Sequence, residues 1–172
     1  MDREALFEHY SRMPEELFTY FATHEVAGLP PEAVEILRQV MTARGTVPDP
    51  DAVIDIQCRQ LSSEEFERMV TRFRQEPCPL CGASGGLLNG TLVNRAGRIE
   101  PVVGCRSCLE KELKSANRAS VGFAVFFIKP ITGIQSVGRN DAALRELESG
   151  NLAQVLREHV WHNRGELAHF LK

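Results

Sequence analysis

A mainly α fold carrying one small, metal-bound β-hairpin (class α+β) is predicted by three features of the chain. Apolar residues recur three and four positions apart through the first 77 residues and again beyond residue 140, the spacing of helices with one buried face. Between these regions, Leu87–Val93 and Ile99–Val103 read as two strands around Asn94-Arg95-Ala96-Gly97, a hairpin-type connection. Two Cys-x-x-Cys units, Cys78/Cys81 and Cys105/Cys108, bracket that hairpin. The expected organisation is an N-terminal helical bundle over 1–77, a four-cysteine module over 78–118, and an apolar segment with C-terminal helices over 119–172, packed as one unit.

The helices are justified by their caps. Asp2 can cap a first helix with Leu6, His9, Tyr10 and Met13 on one face. Pro14 suits the first position of a second, with Leu17, Phe18 and Phe21 turned inward. Gly28 interrupts it, and Pro30-Pro31 open a third helix on which Ala33, Leu37, Val40 and Met41 share a face. Gly45 ends that helix, with Arg44 in its last turn as the macrodipole favours. Ile54 to Arg59 alternates like a strand yet follows Asp49-Pro50, a helix start, so both readings stand. Ser62 and Glu65 form a capping box, each able to accept from the other's backbone N–H, ahead of a Phe66, Met69, Val70, Phe73 stripe that Pro77 closes. After the hairpin, a helix is expected over about Leu109–Arg118, and an irregular apolar stretch over Ser120–Gly138. Asn140 or Asp141 then starts a helix that Gly150 stops. Asn151 caps the last helix, which carries Leu152, Val155, Leu156 and Val160 and is kinked at Gly165.

Composition supports a real core, since 43% of the residues are apolar and 25% charged, as in ordinary globular domains. The net charge of −3 is uneven. Residues 1–77 carry 8 basic and 15 acidic side chains, a balance that repels nucleic acid. Residues 78–120 carry 6 basic and 3 acidic, the only segment with the sign a phosphate backbone favours. Met1 to Tyr10 lacks the apolar core of a signal peptide, and no 18-residue apolar run exists to form a spanning helix. Paired Cys-x-x-Cys units without an export signal point to a reducing cytoplasm, where thiols bind metal rather than form disulfides.

The two Cys-x-x-Cys units are separated by 23 residues. A two-residue spacing lets both sulfurs of one turn reach a single ion, and a hairpin of this length brings the second pair opposite the first. The expected site is one Zn²⁺ per chain held by Cys78, Cys81, Cys105 and Cys108 in a closed tetrahedral S4 shell, the mark of a structural metal. Gly82 and Gly104 flank the turns, and Arg106 and Lys111 are placed to offset the −2 charge of four thiolates on Zn²⁺. This module resembles the zinc-ribbon and treble-clef class. A helix beginning at the fourth ligand, Cys108-Leu109-Glu110-Lys111, leans toward the treble clef. Rubredoxins share paired Cys-x-x-Cys units, but here Leu109 stands where they usually carry Gly. More broadly, Pro31-Glu32-Ala33-Val34, Ala43-Arg44-Gly45, the cysteine pairs and the apolar segment, with Phe123, Phe126 and Phe127 in place of the usual Trp, resemble small uncharacterised bacterial zinc-ribbon proteins. That likeness implies an architecture and no activity.

Other candidates weigh less. Cys58 is a lone thiol with no His placed beside it, and is expected to be buried and inert. His159 and His162, with Glu166 and His169 beyond, read as a solvated surface before a second metal face. Val121–Ile128, which Lys129 and Pro130 end, is expected to form a buried strand rather than a membrane segment. Gly85-Gly86 and Gly133 lack the Gly-Lys-Ser/Thr of a phosphate loop. No set of nucleophile, base and oxyanion donors can be assembled, so the chain is read as a non-catalytic zinc-binding adaptor whose partner is another protein. The alternative is a nucleic-acid-associated regulator using Arg95, Arg98, Arg106, Lys111, Lys114 and Arg118, the basic stripe of the hairpin and its helix.

Overall fold

In a computed structural model of the chain, the described residues are 2–95, 97–126, 130–149 and 153–171. They are mostly helical, with one two-stranded antiparallel hairpin. Contacts group the chain into two compact units, one of residues 1–69 and 160–172 and one of residues 70–159.

The first unit holds α1 (Arg3–Arg12), α2 (Glu15–His24), α3 (Pro31–Arg44), α4 (Pro50–Cys58) and the start of α5 (Ser63–Phe73). Asp2 caps α1 by accepting the Glu4 and Ala5 N–H groups, and Asp49 caps α4 by accepting from Ala52. That cap, with Pro50 at the first helical position, resolves residues 54–58 as helix rather than strand. Gly45 closes α3 at φ +63°, a left-handed conformation that glycine adopts without strain. The capping box forms as expected: Ser62 N–H donates to Glu65 at 2.9 Å and Glu65 N–H donates to Ser62 Oγ at 3.2 Å. Arg59 adds a two-pronged ion pair to the same carboxylate at 2.9 and 3.0 Å. Phe18, Ile36, Leu37, Val40, Met41 and Ile56 are buried at the centre. The expected buried faces differ on two helices. On α2 Leu17 is exposed while Phe18 and Ala22 are buried, and on α1 only Tyr10 is buried. Gln57 is buried yet satisfied, donating to the Ala22 and Val53 carbonyls and accepting from Val26 N–H. Gly165 lies in the turn after α8 (Gln154–His162), not within a kinked helix.

The second unit is built on the hairpin. Strands β1 (Leu88–Arg95) and β2 (Arg98–Cys105) pair from Arg95↔Arg98 to Leu88↔Cys105. Two long helices follow, α6 (Arg106–Phe126) and α7 (Pro130–Ser149), and both pack on β1 and on each other. Val93, Leu109, Leu113, Ala116 and Leu147 form the core between them.

This corrects three expectations. The helix after the hairpin starts at Arg106 and runs to Phe126, beyond Leu109–Arg118. Residues 120–126 and 130–138 are helical, so the apolar run is helix through Phe126 rather than strand, and Val121 is 53% exposed. Asn140 and Asp141 lie inside α7 and do not start it. The reason is tertiary: Asn140 is fully buried and spends its amide on β1 instead of a helix end. Phe127 and Ile128, and the stop at Gly150 with the cap at Asn151 and Leu152, lie outside the described residues.

Candidate metal centre

Pro77 leads into a tight turn that carries the first ligand pair. Cys78 is 2% exposed. Its N–H donates to the Ala83 carbonyl at 3.0 Å, and Gly82 N–H donates to the Cys78 carbonyl at 2.7 Å, which closes the loop around both sulfurs. Gly82 achieves this at φ +69°, so the residue after Cys81 must tolerate the left-handed region.

The second pair comes from where the hairpin meets the helix. Cys105 ends β2 opposite Leu88, and Leu88 is tied back to the end of α5 by its N–H to the Arg74 carbonyl at 2.8 Å. Cys108 stands in the first turn of α6. The positive end of that helix dipole therefore faces the sulfur cluster. Gly104 packs closely against the first cysteine turn: a Cβ there would sit 2.9 Å from Leu80 Cδ1, which would have to turn aside, and 3.5 Å from Cys78 Sγ.

The four Sγ atoms lie within 4.8 Å of one another. Cys81 Sγ and Cys105 Sγ are 3.9 Å apart. A tetrahedral S4 shell with metal–sulfur bonds of about 2.3 Å places its sulfurs about 3.8 Å apart. The donor set thus fits one ion with the cysteines as its whole shell, and a further two contacts stabilise negative sulfur: Cys105 N–H donates to Cys78 Sγ at 3.2 Å, and Ser107 Oγ lies 3.3 Å from Cys105 Sγ.

These surroundings split the thiols. The Ser107 hydroxyl, then the Cys108 N–H, bring Cys105 down to about 6. Burial opposes ionisation of Cys78, but N–H groups of Cys105, Leu80 and Cys81 outweigh it and lower its pKa. Cys108 is pushed up to about 12, because its proton is shared with the Cys81 and Cys105 sulfurs. Metal binding to such a cluster requires the thiols to give up their protons.

The remaining site predictions fall out differently. Arg106 pairs with Glu110 at 2.9 Å, and Lys114 reaches the same carboxylate at 3.8 Å. Arg95 bridges Glu112 and Glu100, and Arg98 pairs with Glu100 at 2.9 Å. Lys111 and Arg118 are exposed and make no ion pair among the described residues. Cys58 is exposed, a correction to its expected burial: α4 turns Val53, Ile54, Ile56 and Gln57 inward, which leaves the terminal Cys58 on the solvent side. The His159 ring lies 5.4 Å from that of Phe73, and His169 contacts the Glu166 carbonyl oxygen at 3.1 Å. Among the described residues, only the four cysteines converge as metal donors, and no helix is long and apolar enough to cross a membrane.

Sequence reasoning missed the polar lock beside this module. Asn94, Ser136 and Asn140 are buried. Asn140 accepts from Asn94 N–H at 2.8 Å and donates to the Asn94 carbonyl at 3.0 Å, while Ser136 donates to Asn94 Oδ1 at 2.9 Å. The available signal was an asparagine and a serine spaced four apart on what proves to be one helix face. Compared with family models, curated proteins and solved structures, the chain matches none.

Proposed function

We propose that Cys78, Cys81, Cys105 and Cys108 hold one structural Zn²⁺ and that the protein is a non-catalytic interaction module, braced by that ion and docking onto another protein. The observation that supports this is the convergence of four sulfurs within 4.8 Å of one another. Four protein donors leave no position for water or substrate, so an ion there braces the fold and does not activate a reactant. Cys105 at a strand end and Cys108 in the first turn of a helix support a treble-clef reading of the module. A reducing cytoplasm is the setting that keeps such thiols available. Leu80, Leu87, Leu92 and Ile99 on and beside the hairpin are each about half exposed, apolar area that a protein partner would cover. The nucleic-acid reading ranks second, because Glu100, Glu110 and Glu112 already occupy four of its six basic side chains.

The test is capture by the zinc-loaded protein, run beside its Cys81→Ser variant and beside binding to random duplex and single-stranded nucleic acid at low and high salt. One stoichiometric protein partner, lost in Cys81→Ser, supports the proposal. A steep salt dependence of nucleic-acid binding with no protein partner transfers the function to the alternative.

A further inference from the structure

The hairpin leaves part of one edge open. Its two-residue connection and its register turn the backbone groups of residues 89, 91, 93 and 95 toward β2, and those of Leu88, Gly90, Leu92 and Asn94 away from it. Both ends of the outer edge are closed by groups that imitate a neighbouring strand. At one end Leu88 N–H donates to the Arg74 carbonyl and its own carbonyl accepts from Arg74 Nε. At the other, the Asn140 amide takes both backbone groups of Asn94. Gly90 N–H turns to the Asn89 side chain at 2.9 Å. The Gly90 carbonyl and both backbone groups of Leu92 have no partner among the described residues.

That gap opens into a cavity of about 560 Å³, walled on its far side by α7 and α8. Ala142, Ala143 and Val155 give its lining apolar area, and Leu92 and Ile99, also in the lining, are each 48% exposed. Its charges are separated. Arg139 adjoins Asn140 and so lies at the Asn94 end, while Glu146, two turns further along α7, shares the cavity with Glu158 of α8. None of these three makes an ion pair among the described residues. Two helical turns span about 10 Å, the length of about three strand residues.

We propose that this slot receives a short extended peptide from a partner protein as a third strand on β1. The peptide bonds to Gly90 and Leu92, sets a basic side chain against Glu146 and Glu158, and sets an acidic one against Arg139. The proposal rests on the interaction reading above and names the chemistry of the partner. Backbone pairing supplies affinity in this mode, and the two closed ends fix the register. A second copy of the chain is a poorer occupant, since its own β1 edge is recessed behind the same two helices.

The test uses the full zinc-loaded chain as bait for a phage-displayed library of random dodecapeptides, with the winning peptide then made synthetically. Expected are winners carrying both charges around an apolar centre, and slower amide exchange at Leu92 when the peptide is bound. Leu92→Pro removes the outward N–H and spares the β1–β2 ladder, so affinity falls about tenfold, whereas Leu92→Val, which keeps that N–H, binds as the wild type does. If Leu92→Pro loses zinc, the doubly reversed Glu146→Lys, Glu158→Lys variant replaces it, with weaker binding expected. Peptides that bind without slowing Leu92 exchange, and equally well to the variants, overturn this site and leave a protein-binding function standing elsewhere. A library with no winner also overturns it, and the partner capture described above then decides the broader reading. A wild type that dimerises and a Leu92→Pro variant that does not would assign the edge to a second copy and overturn the peptide proposal.

Discussion

Cys105 donates its backbone N–H to the sulfur of Cys78 across 3.2 Å, so the end of β2 is tied to the first cysteine turn by the ligands themselves. Removing one sulfur therefore disturbs both ligand turns. Elemental analysis of the reduced protein should find about one zinc per chain, and Cys81→Ser or Cys105→Ser should lose it. Structural zinc contributes about 10–16 kcal/mol of apparent binding energy in small zinc-finger peptides, so thermal melts of these variants should show loss of the hairpin unit. Cys58→Ser, on an exposed side chain, should melt as the wild type does. Less than half an equivalent of transition metal in the wild type, or a red iron form, would refute the zinc assignment.

Asn140 of α7 meets the β1 edge with its side-chain amide. Asn140→Leu fills much of the same volume but leaves the Asn94 N–H and carbonyl without their partners. Each orphaned buried group costs about 1–3 kcal/mol, so urea denaturation should report a loss of about 2–6 kcal/mol. Amide exchange at Asn94 should quicken in step. Unchanged stability would mean the lock contributes nothing net.

These two sites mark what was readable from sequence. Cysteine spacing is local and chemically narrow, so the four-cysteine cluster and the Ser62–Glu65 box could be placed residue by residue, and the hairpin as an element, although Asn94 and Arg95, expected in its connection, belong to β1. The segment after Ser120 could not. Gly133, Gly138 and the β-branched Ile131, Thr132 and Val137 argue locally against a helix, yet α7 forms because it packs along α6 and β1. Asn140 misled for the same reason. Its amide favours helix ends in isolation, and only the tertiary fold supplies a strand edge for it to satisfy. The open edge at Leu92 depends on which neighbours cap β1, which no local pattern records.

Gly165 owes its identity to close approach. A Cβ there would sit 2.0 Å from the Thr23 carbonyl oxygen and 3.0 Å from Gln57 Nε2, inside the first unit's core. Backbone must move to admit it. Gly165→Ala should cost about 3 kcal/mol or more, at the upper end of overpacking penalties. Gly28→Ala, where nothing lies within 4 Å, serves as the control and should be close to neutral. Equal melting temperatures for the two variants would show that the crossing is looser than the geometry states.

Glu65 should make the first unit sensitive to acid in a defined direction. The Arg59 guanidinium, then the Ser62 N–H and hydroxyl, hold its carboxyl down at about 2, against an ordinary value of 4.5. Arg59 is itself raised by Glu65 and Asp55 and stays charged throughout. A carboxyl whose folded pKa is depressed stabilises the fold fully above its unfolded value, and that contribution is lost as pH falls toward the folded one. Wild type should therefore lose stability between about pH 5 and pH 2 more steeply than Glu65→Gln, which has no charge to lose there. At neutral pH the variant should be the less stable of the two, and the gap should close in acid. Because the pair is at the surface, 1 M salt should narrow the neutral-pH difference by screening. Parallel acid melts of the two proteins would show that Arg59 and Ser62 gain as much from the neutral amide as from the carboxylate.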